Sequence, residues 1–252
     1  MPKRGFAILL CAAFCVLAQP APAQLNNRLS QQRFGNISLG EFQGGDNVRF
    51  VLTRYRGEFL LRFSGDPEVY VLYADYGPLG GRVLRYDSGA VALQVAGWGS
   101  MTIYPDKEPD GLAVVRNGDA SSPSLPAVSQ QQILSAADDE ASHIAYVCGL
   151  RFNFTADWNA TANDAGLRAL VYDTLGNTAR GIARFAVNAE GRAVFSQRIS
   201  TVRIQQSSRT LIQLTGKTLI VTYNPSQGYM GRASSRAIAF ALGRLFKVPI
   251  QN

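Results

Sequence analysis

Few residues in this chain have the chemistry to catalyse a reaction. His143 is the only histidine, whereas a zinc site draws three or four ligands from Cys, His and carboxylates. Glu140 and His143 make an E-x-x-H pair, but a di-iron bundle needs that pair twice, with two further glutamates on other helices. On a helical wheel both point away from the apolar stripe that contains Cys148, so they read as a solvated i, i+3 pair. Cys148, on the stripe itself, reads as a small hydrophobe rather than a nucleophile. Asp106, Glu108 and Asp110 precede Gly111 at alternate positions, as in the first half of a calcium loop. The second half fails: Asn117 stands where a bidentate glutamate belongs, and Pro109 interrupts the loop. A hairpin turn between Tyr104 and Leu112 accounts for the segment better. Glu58, Glu68, Asp75 and Asp87 sit at strand ends and turns. Two carboxyl groups at the right separation suffice to hydrolyse a glycosidic bond, but sequence gives no separation. Nucleophile-elbow, phosphate-loop and dinucleotide motifs are missing from any interpretable context. Sequence therefore assigns no catalytic residue, no metal ligand and no cofactor.

Binding is easier to place. At Gly231-Arg232-Ala233-Ser234-Ser235-Arg236, the free N–H groups of a helix start are joined by two arginines, a combination that suits an anion. An ordinary N-cap with flanking charges is the plainer explanation. Arg232, Ser234, Ser235 and Arg236 are the expected anion contacts, and Tyr76, Tyr86 and Trp98, near turns, the expected aromatic contacts. Charge is unevenly distributed. Residues 24–140 hold 10 Lys/Arg against 14 Asp/Glu, and residues 141–252 hold 13 against 4. A basic C-terminal half hints at an anionic partner: an envelope polymer, a lipid surface or a periplasmic protein, and not nucleic acid. Scattered arginines that merely solvate helices and strands would give the same count.

These residues sit in a chain with an export-type beginning. Lys3 and Arg4, the apolar run Phe6–Leu17 and Ala21-Pro22-Ala23 have the layout of a signal peptide cleaved after Ala23, which places the protein in the periplasm or outside the cell. The apolar run is too short to span a bilayer, and no later stretch is long enough. Removal of residues 1–23 leaves Cys148 as the last thiol, so no intramolecular disulfide forms.

Residues 24–47 read as a polar arm, loosely held, although Phe34, Ile37, Leu39 and Phe42 could lay one short edge element on the core. From residue 48 short β-branched and aromatic runs alternate with Gly, Pro, Asp and Ser: Val48–Tyr55, Glu58–Phe63, Val69–Ala74, Arg82–Tyr86, Val91–Ala96, Met101–Tyr104 and Leu112–Arg116. Such spacing predicts an antiparallel meander. Closure into a small barrel or a strongly coiled sheet would avoid two open edges. Residues 120–128, ASSPSLPAV, form a linker between a β domain (48–119) and a C-terminal domain (129–252). Ser129 and Gln132 outline a capping box for a helix whose apolar stripe runs from Ile133 to Cys148, with Gly149 as its stop. Leu150–Phe154 suits a strand and Asp157–Asp164 a polar loop. Residues 165–185 fit a helix, although Gly176-Asn177 would also serve a hairpin. Ala193–Ile204 and Thr210–Tyr223 read as strands, the second folded back at Thr215-Gly216-Lys217. Ser234 or Ser235 caps a final helix that ends near Lys247 and Pro249. The fold class is α+β: an N-terminal meander or small barrel, then a helix and a mixed α/β part.

Together with the signal peptide, the segments LGGRVLRYDSG (79–89), VAGWGSMTIY (95–104) and GKTLIVTYNPSQGYMGRASSRAIA (216–239) resemble an uncharacterised family of exported alphaproteobacterial proteins catalogued only as a domain of unknown function. That resemblance carries no activity and no site. The β region also resembles periplasmic lysozyme inhibitors of the small-barrel type, through its Ser-Gly turn and a tryptophan before glycine. It departs from them in lacking a cysteine pair, in having Tyr86 before rather than after Ser88-Gly89, and in placing Ser100 after Gly99. The composition points to an envelope protein that works by binding or as structure. A carboxylate-only hydrolase of an envelope glycan, or a lysozyme-inhibitor-like protein, is the alternative.

Overall fold

The computed structural model describes residues 37–250. The expected signal peptide and most of the arm before Gly40 lie outside them. Eight antiparallel strands close into a barrel: β1 (Gly40–Gly44), β2 (Val48–Tyr55), β3 (Glu58–Phe63), β4 (Tyr70–Tyr76), β5 (Arg82–Tyr86), β6 (Val91–Val95), β7 (Met101–Ile103) and β8 (Leu112–Gly118). The meander is as the runs predict, and the closing strand comes from the segment read as a loose arm. β1 pairs with β2 on one side, Phe42 opposite Phe50, and with β8 on the other, Gln43 opposite Val115. Seven strands alone would leave two rows of unpaired backbone groups, and β1 satisfies both.

Alternate side chains of each strand fill the barrel. Phe50, Leu52, Phe59, Leu61, Leu72, Leu84, Tyr86, Leu93 and Ile103 are all buried. On β3 the alternation fails, because Phe59, Leu60 and Leu61 are all buried. Leu60 faces outwards and packs with Val69, Val71 and Tyr229, so this flank of the barrel is covered on both faces and reads as a continuous apolar run.

Beyond residues 120–128 the chain forms helix α1 (Gln130–Cys148), β9 (Asn153–Ala156), the short helix α2 (Trp158–Ala162), α3 (Ala165–Phe185), α4 (Ala189–Arg198), β10 (Thr201–Gln206), β11 (Ile212–Thr215), β12 (Thr218–Tyr223) and α5 (Ser235–Phe246). The capping box is present: Ser129 Oγ accepts from the Gln132 N–H at 3.2 Å and Gln132 Oε1 from the Ser129 N–H at 2.7 Å. Gly149 ends α1 in the left-handed conformation at φ 70°. Residues 165–185 are a helix throughout. Gly176-Asn177 does not turn the chain because α3 is buried on nearly every side, and the buried Asn177 amide donates to the Ala233 carbonyl at 3.2 Å.

One expectation fails outright. The segment 193–198, read as strand, is the second half of α4. Asn188 caps it by accepting from the Glu190 N–H at 2.9 Å, and Arg192 ties its first turn to the Ala186 carbonyl at 2.7 Å. Val194 and Phe195 carry β propensity, but local capping and the burial of Phe195 decide the outcome. The polar loop 157–164 likewise contains the single turn α2, capped by Asp157.

β9, β10 and β12 run parallel and β11 antiparallel, in the order β11-β12-β10-β9. Helices α1, α3 and α5 cover one face of this sheet. The described residues form one compact unit, and Leu125 of the linker packs against apolar clusters of both halves. At Gly181, where α3 meets α5, an added Cβ would lie 2.6 Å from the Ile238 side chain and 2.9 Å from the Ser235 carbonyl oxygen. Gly181→Ala is expected to lower the unfolding free energy by about 1–3 kcal/mol through overpacking, read as a shift in urea midpoint. Gly176→Ala meets only the Arg180 guanidinium, at 3.3 Å, and is the control, expected to cost less. Equal losses at the two positions would contradict the close approach.

Candidate functional site

In a meander every second turn falls at the same end. The turns at 64–69, 87–90 and 104–111 therefore share one end of the barrel, and those at 56–57, 77–81 and 96–100 share the other. The first end supplies three carboxylates, Glu68, Asp87 and Asp106, and it closes on α3 and the start of α5.

The expected anion site lies in this junction, where its N–H groups are already engaged. Asp87 accepts from the Ser234 N–H at 2.7 Å and from the Ser234 hydroxyl, while Glu68 accepts from the Ser235 N–H at 2.7 Å. The barrel's own loops thus provide the negative charge that the start of α5 favours. Arg232 is 4 % exposed. It pairs with Asp173, donates to the Val69 carbonyl at 2.7 Å and lies 5.1 Å from the Tyr229 ring centre. Arg236 stacks 4.2 Å from the Tyr86 ring centre and pairs with Asp106. Sequence reasoning names the right segment and the right arginines, but Arg232, Ser234 and Ser235 are buried structural contacts and Arg236 alone reaches a cavity.

Four residues of this junction were not chosen as site residues. Glu68, 0 % exposed, also takes a hydrogen bond from Arg180 Nε at 3.3 Å. Arg184 donates to Ser235 Oγ at 3.0 Å, to Tyr70 Oη at 3.3 Å and to Asp106. Asp106, singled out as part of a failed calcium loop, lies in the expected hairpin turn and holds both Arg184 and Arg236. A signal for this exists in the sequence: acidic residues in alternate turns, and Arg180 and Arg184 one helical turn apart. What sequence lacks is the pairing of loops and helices 78 to 167 residues apart.

The electrostatics follow from burial. Burial raises the Asp87 carboxyl above its usual range, against the pull of the Ser234 hydrogen bonds. Burial likewise raises Asp173 against the pull of Arg232 and pushes the Tyr86 hydroxyl up to about 12. At Asp106 burial works in the same direction, but the hydrogen bond from Arg184 and the charge of Arg236 outweigh it and hold the carboxyl below its ordinary value.

The three expected aromatic contacts separate. Tyr86 is inside the barrel, 2 % exposed. Tyr76 and Trp98 stand on the opposite end, 82 % and 77 % exposed, beside the equally exposed Leu79. The Arg82 guanidinium lies 4.5 Å from the Tyr76 ring centre.

The carboxylates considered for hydrolysis divide in the same way. Glu58 and Asp75 belong to the far end, where Asp75 pairs with Arg85 at 3.1 Å, while Glu68 and Asp87 are buried against α5. Glu140 is half-buried and lines a cavity of about 420 Å³ with Arg62, Tyr172, Asp173 and Arg180, and Asp173 there is held by Arg232. Burial raises the Glu140 carboxyl. His143 is exposed. Burial also raises the Cys148 thiol, the direction opposite to activation. Among the described residues no group of three or more His, Cys, Asp and Glu is placed to hold a metal ion, and no helix is long and apolar enough to cross a membrane.

A closed eight-stranded barrel whose acidic turns dock on arginines of the helices that cover a mixed sheet defines an α+β protein of one compact unit. The chain belongs to the family described as Domain of unknown function (DUF4908), whose model matches residues 24–242. Comparison with curated proteins gives no match, and comparison with solved structures gives none.

Two outcomes test this junction. Glu68→Ala leaves the Ser235 N–H and Arg180 without their acceptor, and a loss of about 3 kcal/mol in urea unfolding is expected; a loss below about 1 kcal/mol would remove Glu68 from its central role. Because the folded state holds Asp106 low, the stability it contributes is complete above the unfolded value near 4 and lost as pH falls through the folded value. The stability gap between wild type and Asp106→Asn, on the order of 1 kcal/mol at about pH 6 for a partly exposed group, is expected to close as the pH falls through the lowered folded value. A gap constant with pH would refute it.

Proposed function

We propose that this chain is an exported envelope protein that acts by binding a long anionic polymer of the cell envelope on the open face of its C-terminal sheet. One observation carries the proposal: that face is basic and polar, and the strands that form it carry no carboxylate, Asp157 just past β9 being the one acid in the cavity that Thr155 and Arg203 line. Gln213, Ile220, Arg203 and Thr155 stand in register across its four strands, followed by Thr215, Thr218, Thr201 and Asn153. None of the four strands contains Asp or Glu. Arg151, Arg198 and Lys217 are exposed just before the starts of β9, β10 and β12. With Arg203, they form no ion pair among the described residues.

Charge asymmetry alone would not support this, because Arg180, Arg184 and Arg236 face carboxylates of the barrel. The sheet cations have no such carboxylate partner. Hydroxyl and amide groups between them suit a hydroxyl-rich, acidic glycan. A lipid surface would call for large apolar side chains among the cations, and Ile220 is the sole apolar residue of those two rows. Export is supported by the signal-like residues 1–23 and by a family match that begins at residue 24.

The test is retention on purified peptidoglycan sacculi and on immobilised polygalacturonate, at about 50 and about 300 mM NaCl. Retention at low salt, loss at high salt and at least a tenfold loss in Arg203→Glu/Lys217→Glu are expected. Binding to neither, binding insensitive to salt or to these changes, or binding to phosphatidylglycerol vesicles alone would overturn the proposal.

A further inference from the structure

A second and separate site lies where Asp106 meets the two helices. Two cavities, of about 330 and about 370 Å³, share Asp106, Arg184 and Ile250 as lining, and a third of about 220 Å³ shares Asp106 and Arg236 with the first. The combined cleft is in the size range of small-molecule sites. Its polar groups gather at one place and its apolar groups, Ala239, Phe240 and Ile250, form the adjoining wall.

The polar groups are incompletely used. Two guanidinium groups meet one carboxylate, so the cleft carries a net positive charge. Each oxygen of Asp106 serves one arginine: Oδ2 that of Arg184, Oδ1 that of Arg236. Neither arginine therefore has the paired, two-bond contact that a carboxylate or phosphate can give. Arg184 spends its other donors on Ser235 and Tyr70. Arg236 does not: its Nε–H is buried with no acceptor, and so is the hydroxyl of Ser88, which lines the same cavity. Buried donors without acceptors are uncommon, and an ordered water or an anion is what ordinarily satisfies them. Asp106 itself is on a hairpin turn and partly exposed, so it can share its arginines with an incoming anion.

We infer that this cleft binds a small amphipathic anion, a carboxylate or phosphate group on an apolar chain, with the anion on Arg236 beside Asp106 and the chain against Ala239, Phe240 and Ile250. The site is independent of the sheet face, since no residue of the sheet lines it.

Isothermal titration of the folded protein with octanoate and with octyl phosphate reads the site, with octyl glucoside as the neutral chain and acetate and inorganic phosphate as heads without a chain. Saturable one-to-one binding of octanoate or octyl phosphate is expected, at least tenfold tighter than of any of the three controls; the tighter of the two identifies the head group. Asp106→Asn is expected to strengthen binding several-fold by removing the competing carboxylate, and Arg236→Gln to weaken it at least tenfold. Phe240 is 43 % exposed, so Phe240→Glu places a repelling carboxylate on the wall without disturbing the core. It is expected to weaken binding at least tenfold with an unchanged melting temperature, and it decides the matter if Arg236→Gln fails to fold. No saturable binding of either amphipathic probe, equal binding of octyl glucoside, or indifference to Phe240→Glu overturns the inference. Arg203→Glu/Lys217→Glu is expected to leave octanoate and octyl phosphate binding intact, which separates failure here from failure at the sheet.

Discussion

The join between the barrel and the rest of the chain depends on the carboxylate of Glu68. A fully buried carboxylate is costly unless several donors meet it, and here the donors come from two helices: the first N–H of α5 and the guanidinium of Arg180 on α3. That single group fixes the turn after β3 against the start of one helix and the flank of another. Asp87 repeats the arrangement one residue earlier, at Ser234. Asp106 extends it outwards to Arg184 and Arg236. The three turns share one end of the barrel because a meander returns to the same end at every second turn.

This junction changes the meaning of the charge distribution. An acidic N-terminal half and a basic C-terminal half look, in one dimension, like a protein made for an external anion. In three dimensions a substantial part of both charges faces inwards, and the halves are each other's partners. Cations available to a ligand are those that the junction leaves over, on the sheet and at the rim of the Asp106 cleft. Attachment of the barrel and the proposed binding of anions draw on one pool of arginines, with Arg236 in both.

The barrel was largely legible. Strand limits at Val48–Tyr55, Glu58–Phe63 and Arg82–Tyr86 follow from alternation and turn residues, which act over a few positions. The capping box at Ser129 and Gln132 and the cap at Ser234 are equally local. The closing strand β1 was legible only as a possible edge element around Phe42, since GEFQG has little β character and becomes a strand because β2 and β8 each offer an unpaired edge. The first half of the 193–204 run misled for the opposite reason. Its Val and Phe have β character, while an N-cap at Asn188 and the packing of Phe195 impose a helix. At the site, Arg232, Ser234, Ser235 and Arg236 were recognised as the surroundings of a helix start, but not that its anions are Glu68 and Asp87.

Sequence by itself therefore determined most of the elements: the strands β2 to β8, the caps at which α1 and α5 begin, and the lack of a familiar catalytic motif. Those properties rest on hydrogen bonds and steric preferences between near neighbours. Tertiary structure decided the rest. It closed the barrel with β1, buried α3 despite Gly176-Asn177, turned Tyr86 inwards while leaving Tyr76 and Trp98 outside, and matched three acidic turns to arginines far along the chain. Each of these outcomes is set by which surfaces and charges remain unsatisfied once the local elements exist, and that balance arises only when distant segments meet.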